Sequence, residues 1–286
     1  MSLLVRNAHI TCAVRASVTL AYRDVSTVRN RNQRVQSVER GIAVLRSLGF
    51  DSSAEGVTVS EVAARTGLDR AVVHRLLKTL ESESFVVSNS GRFVIGPASY
   101  VLGQTFADRH PARRVVLPYA IDLHARLIDD RPWIVSISVP SMDRVVILDR
   151  IWGATTPLSL LLDVGTQFPI DQAASGRALL AAFGDRVGEL AVGRDRWRTT
   201  LPTIAEIRSN GGVSISHAEL RPGMSAVAVA IGSQPATAVA IVMAGVDFED
   251  QARPDSLVAR ELRNVAKAAA SSLEGGQPSR KGSRNQ

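Results

Sequence analysis

The apolar positions of this chain recur first at helical spacing and later at strand spacing. In VQSVERGIAVLRSLGF, Val38, Ile42, Leu45 and Leu48 stand four, three and three residues apart, which predicts one amphipathic helix with a single buried stripe. The break SSAEG follows, and Thr58 or Ser60 is placed to cap the next helix. That helix opens VSEVAARTGLDRAVVHRLLKTL, two short helical patterns separated by Thr66 to Asp69. Isolated helices under about 12 residues are marginal in water, so these two must bury their apolar faces against each other and against the preceding helix. Ala63 is small where two helices cross, Gly67 suits a left-handed turn after the first, and Asp69 can cap the second. Val73, Leu76, Leu77 and Leu80 form the inner stripe of that second helix. Directly afterwards, in FVVSNSGRFVIG, two β-rich runs from Phe85 to Ser88 and from Arg92 to Ile95 flank Asn89, Ser90 and Gly91, a hairpin signal.

A helix, a helix-turn-helix and a hairpin in that order predict a winged helix. The inner stripe leaves Arg70, Ala71, His74, Arg75 and Lys78 on the outside of the second short helix, while Asn89 and Arg92 stand near the wing tip. Such a face fits a major groove, its first residues meeting base edges and its longer cations meeting phosphates. These seven positions are the candidate contacts to double-stranded DNA.

The second half has a different rhythm. PARRVVLPYAIDLHARLIDD is a helix candidate, and WIVSISV and RVVILDRIW are strand candidates joined by the turn PSMD. GVSIS, SAVAVAIG and ATAVAIVMAG are further β-rich runs. From Asp255 to Leu273, Leu262, Val265, Ala266 and Ala269 share one side of a helix. Strands in runs, with helices between them and at the ends, indicate an α+β sheet domain.

Charge refines this picture without deciding it. The formal net charge of +7 lies wholly in the tails: Arg6, Arg15, Arg23, Arg29 and Arg31 against Asp24 at the start, and Arg280, Lys281 and Arg284 at the end. The body is neutral in total, mildly basic before residue 115 and mildly acidic after it. Any sequence preference for DNA must therefore rest on a few side chains rather than on bulk charge. No run reaches the roughly 18 apolar residues of a membrane helix. Arg6, Asn7, His9 and Arg15 interrupt the start too often for a secretory signal, and Cys12 is the single cysteine; a cytoplasmic protein is expected.

Catalytic patterns are not evident. The histidines His9, His74, His110, His124 and His217 form no H-x-x-x-H pair, and His9 with Cys12 gives two ligands at most. There is no G-x-S-x-G elbow and no phosphate-cradling glycine loop. His217 beside Glu219 reads as a polar loop after a strand. The expectation is a protein that is not an enzyme and needs neither cofactor nor metal. The alternatives are a ligand-binding sensor module acting through protein partners, or a small-molecule enzyme, in either case without DNA binding.

QSVERGIAVL, SEVAARTGLDRAVVHRLLKTLE, RFVIGPASYVLG, RVVILDRI, SGRALLAAF and AELRPGMSAVAVAI stand in the order found in the IclR family of bacterial transcriptional regulators, which the chain resembles over about residues 35–274. Residues 1–33 show no sustained periodicity and read as a flexible basic arm, and 276–286 as a disordered tail; between them the expected order is a winged helix-turn-helix domain at 34–97, a linker helix at 98–111 and, as the resemblance implies, a GAF-like effector-binding domain at 112–275. It also implies a sequence-specific regulator, repression being the commoner behaviour, that forms a homodimer or homotetramer through the helix from Gln36 to Leu48 and the linker helix. The implied effector pocket comprises Ala174, Ser175, Gly176, Ser216, Ala226, Val242 and Ala244. Members that bind small carboxylic acids place an acidic residue at the position of Ser216, a cysteine at that of Ala226 and hydroxyls at those of Val242 and Ala244. Many also have a histidine where this chain has Asp171. Losing those polar partners should weaken binding of a two- or three-carbon acid, since each unsatisfied buried group costs about 1 to 3 kcal/mol. The expected effector is a larger or more apolar small organic molecule, an aromatic one among the candidates, with Ser175 and Ser216 orienting it.

Overall fold

The computed structural model describes residues 35–49, 55–127 and 131–275. The arm expected at 1–33, with His9 and Cys12, and the tail expected at 276–286 lie outside the described residues. Two compact units divide after Thr105.

In the first unit, α1 (Gln36–Gly49), α2 (Val59–Thr66) and α3 (Arg70–Ser82) share a small core with a three-stranded sheet of order β1-β3-β2, made of β1 (Val57–Thr58), β2 (Val86–Asn89) and β3 (Arg92–Ile95). Thr58 caps α2 reciprocally: the Glu61 N–H donates to Thr58 Oγ1 at 3.3 Å, and the Thr58 N–H donates to Glu61 Oε2 at 2.7 Å. Gly67, at φ 69°, ends α2 in the left-handed turn expected of it, and the Asp69 carboxylate accepts from the Ala71 N–H at 2.8 Å to start α3. Val73 and Leu77 are fully buried, with Leu76 and Leu80 packed against them. The stripe expected on α1 needs correction. Leu48 is buried and Leu45 packs on the core, but Val38 and Ile42 are exposed and Val44 is buried instead. Only the C-terminal half of α1 meets the core of this unit, so the apolar residues of its first turns are left uncovered.

Helix α4 (Pro97–Arg109) has no buried residue and exposes Tyr100, Val101, Leu102 and Phe106.

The second unit is built on one six-stranded antiparallel sheet of order β6-β5-β4-β9-β8-β7. Its strands are β4 (Trp133–Ser141), β5 (Arg144–Trp152), β6 (Gln167–Pro169), β7 (Val213–His217), β8 (Ser225–Ile231) and β9 (Val239–Gly245). The inner strands run to seven or nine residues, while the edges β6 and β7 have three and five. Large and small residues alternate along the strands, and the two faces differ accordingly. Val227, Val229, Ile231, Val239, Ile241 and Met243 point to one face, where α5 (Pro111–Leu127) and α9 (Leu257–Gly275) cover them with Val116, Leu123, Leu262 and Val265. Ala226, Ala228, Ala230, Ala240 and Val242 point to the other, where α6 (Ala174–Ala182) approaches closely and α8 (Arg194–Ser209) packs behind it through Ile204 and Ile207. Helix α7 (Asp185–Val192) lies against α8, and the aromatic ring of Trp197 occupies the place where a Cβ on Gly188 would stand. Beyond the N-terminal end of α6 the small-residue face is uncovered, and a hollow remains.

Candidate nucleic-acid interface and ligand pocket

On α3, Arg70, Ala71, His74, Arg75 and Lys78 are all exposed. The side chains of Arg70, His74 and Arg75 make no hydrogen bond or ion pair among the described residues, whereas Lys78 is paired with Glu81 at 2.8 Å. Lys78, followed by the Ser88 hydroxyl, holds the Glu81 carboxyl below the usual glutamate range. Ser88 donates to the same carboxylate, so Glu81 ties α3 to β2. Arg70 occupies the first helical position of α3, where the macrodipole is already positive. A cation there gains nothing within the domain, but a phosphate would be stabilised by both charges.

The wing is a hairpin with Asn89 opposite Arg92 and a two-residue turn, Ser90–Gly91. Asn89 is exposed. Arg92 is half-buried, and its Nη1 donates to the Gly56 carbonyl at 2.9 Å, so the guanidinium is drawn back from the tip toward β1. Strand β1 is invisible to sequence patterning, since two residues carry no period; its pairing with β3 is tertiary.

In the second unit, six of the seven expected pocket positions line the hollow: Ala174 and Ser175 at the start of α6, Ser216 on β7, Ala226 on β8, and Val242 and Ala244 on β9. The registers Ser216↔Ala226 and Ala226↔Ala244 bring three strands side by side here. Gly176 is absent from the wall. A Cβ on it would collide with the Ile170 carbonyl, so its function is to let α6 seat against the segment that follows β6. Beyond the expected set, the wall includes Ser136 and Ser138 on β4, Ile147 on β5, Phe168 on β6, and Leu162, Leu220, Arg221 and Met224 on the connecting loops. The i, i+2 spacing of the two β4 serines is the one signal of this in the sequence.

The hollow opens to solvent, and the atom-free space within it and in front of it comes to about 490 Å³. The hydroxyls of Ser136, Ser138, Ser175 and Ser216 make no hydrogen bond among the described residues. At its floor Ala173 adopts φ 69°, ψ 157°, a conformation nearly confined to glycine. Its N–H donates to Glu219 Oε2 at 2.9 Å, which holds it there. Glu219 also receives Arg177, and Arg177 donates a further bond to the Ile215 carbonyl at 2.7 Å. Burial pushes the Glu219 carboxyl up, but Arg177 and the Ala173 N–H together outweigh burial and hold it below the usual glutamate range. The expected polar loop at His217 and Glu219 is thus a bracket for the first turn of α6. Asp171 is paired with Arg196 of α8. Among the described residues no group of three or more His, Cys, Asp or Glu is placed to hold a metal ion, and no helix is long and apolar enough to cross a membrane.

Known proteins share both halves of this arrangement. Residues 37–90 match the model of the IclR helix-turn-helix domain, and residues 125–271 match that of the bacterial transcriptional regulator IclR C-terminal domain. The HTH-type transcriptional regulator TtgV of Pseudomonas putida is 30% identical over 162 residues, 56% of this chain and 59% of that protein. The glycerol operon regulatory protein of Streptomyces coelicolor is 28% identical over 260 residues, 85% of this chain and 98% of that protein. A solved IclR homolog from Microbacterium hydrocarbonoxydans, complexed with 4-hydroxybenzoate, has the same fold with a TM-score of 0.62 at 18% identity, covering 84% of this chain and 98% of that one. The C-terminal model alone spans more than half of the sequence, and it follows the helix-turn-helix model in the family's order: the chain belongs to the IclR family of bacterial transcriptional regulators.

Proposed function

We propose that this chain is a cytoplasmic, repressor-type transcription factor that grips a pseudo-palindromic operator as a homodimer or homotetramer, under the control of a small organic effector. One observation carries the DNA side of this reading: three side chains with no partner among the described residues, Arg70, His74 and Arg75, lie on one face of a helix capped at its start and tied to a wing. One winged helix reads too few base pairs for useful discrimination, so paired half-sites are required. The uncovered apolar residues Val38 and Ile42 on α1, and Tyr100, Val101 and Leu102 on α4, support association of copies through those helices. Effector binding shifts the population of arrangements available to paired DNA-binding units, and so changes how well they span the operator.

The effector is larger or more apolar than a two- or three-carbon acid. Alanines together with Val242, Phe168, Met224, Ile147, Leu162 and Leu220 form most of the wall, and the unpaired serine hydroxyls supply the orienting hydrogen bonds. A relative of the same fold is complexed with 4-hydroxybenzoate, a ligand whose apolar ring and polar ends suit such a wall.

Fluorescence anisotropy of the full chain with duplex from upstream of its own gene tests the reading. Saturable binding that weakens steeply with salt, and changes when an aromatic ligand is added, is expected. Absence of salt-dependent duplex binding would sink it. The pocket assignment is tested separately by Val242→Trp, which should abolish ligand binding while duplex binding persists.

A further inference from the structure

Among the residues lining the hollow, Arg221 alone carries a charge. It sits in the loop between β7 and β8. Its Nη1 donates to the Ser159 carbonyl at 2.7 Å and its Nη2 to the Leu161 carbonyl at 3.2 Å, which fastens the segment after β5 beside the mouth. Its Nε is buried and has no partner among the described residues. No carboxylate pairs with Arg221 among the described residues: Glu219, two residues earlier, is already engaged by Arg177 and the Ala173 N–H. Arg221 as a whole is half-buried, but this one donor is withdrawn from water with nothing among the described residues to accept from it, which is unfavourable within the protein alone. An anion in the hollow relieves it, and planar guanidinium donors match a carboxylate or similar oxyanion well.

We infer that Arg221 selects the charge of the effector: the ligand carries one acidic group, paired with Arg221, on a body that fills the apolar wall. The inference rests on the proposal that this hollow is the effector site. The same side chain fastens Ser159 and Leu161, so pairing with the ligand and holding the neighbouring segment draw on one guanidinium.

Calorimetric titration of the full chain with benzoate and octanoate, and with their primary amides, tests this. At least one acid should bind wild type about tenfold or more tightly than its amide. Arg221→Met should bring that ratio near one, by weakening the acid far more than the amide, and Arg221→Lys, which keeps the charge, should preserve most of the preference. A merely structural arginine would weaken acid and amide alike on replacement. Equal wild-type affinity for acid and amide, no wild-type response to either acid, or a preference surviving in Arg221→Met would each overturn the inference. Val242→Trp separates the two levels. If it abolishes binding while acid and amide bind wild type equally, the hollow is the site and Arg221 is not its selector; if it leaves binding unchanged, the site itself is misplaced.

Discussion

Arg177 meets Glu219 with two parallel donors, at 2.7 and 2.8 Å, joining α6 to the loop after β7 at the floor of the hollow. The pair acts on the pocket through the backbone, because the same carboxylate holds the N–H of Ala173 in its unfavourable conformation.

Glu219→Gln removes the charge from this bracket. With a third of the glutamate side chain still in water, the loss should be about 1 to 2 kcal/mol at neutral pH. The carboxyl is held below its usual value in the folded state, so its contribution is complete above the ordinary glutamate value of about 4.3 and is lost as pH falls through the lower folded value. Urea titrations at a series of pH values should show wild type and variant converging below that value. A gap that is constant with pH would contradict the assignment.

Thr58→Ala should destabilise the first unit by about 1 kcal/mol, the usual cost of losing a threonine cap. Hydrogen exchange should report it at the Glu61 amide, which donates to Thr58 Oγ1, before it appears at the amides of α3.

Arg70 and Arg75 differ from Lys78 in having no partner to leave among the described residues. Alanine at either arginine should cost about 1 to 3 kcal/mol of operator affinity and relax sequence preference if the side chain reads a base. If it meets phosphate only, affinity should fall evenly across sequences and the salt slope should drop by about 1. Lys78→Ala should have the smaller effect, because binding DNA through Lys78 competes with Glu81. Wild-type operator binding by both arginine variants in a salt titration would refute the recognition face.

Gly176→Ala should cost about 2 to 3 kcal/mol through collision with the backbone of Ile170, as overpacking against an unyielding neighbour does. Denaturant melts of the purified variant would check this. A near-neutral result would mean that the segment from Ile170 yields easily.

Local chemistry makes much of this molecule readable in advance. Thr58, Gly67 and Asp69 announce their helix ends whatever surrounds them, and Val73 with Leu77 fixes the inner face of α3. What escapes is tertiary. No period distinguishes Val57–Thr58 or Gln167–Pro169 as strands, because their partners are remote. The spacing on α1 suggests a stripe through Val38 and Ile42, but burial depends on what the helix crosses, and only its later turns cross anything in their unit. Resemblance puts Gly176 in the pocket wall, whereas it is a packing glycine. Arg221 escapes because a lone arginine in a loop has no pattern; only the absence of a counter-charge around it among the described residues marks it out.

The sheet of the second unit ends in its two shortest strands, β6 and β7. A long exposed edge is an open template on which another chain can add a strand, and natural sheets guard against this by keeping their edges short. Protection of this kind restrains runaway fibre growth in a chain whose inner strands are rich in alanine, valine and isoleucine. Helical surfaces offer no such template, so association through them can close a symmetric pair and stop.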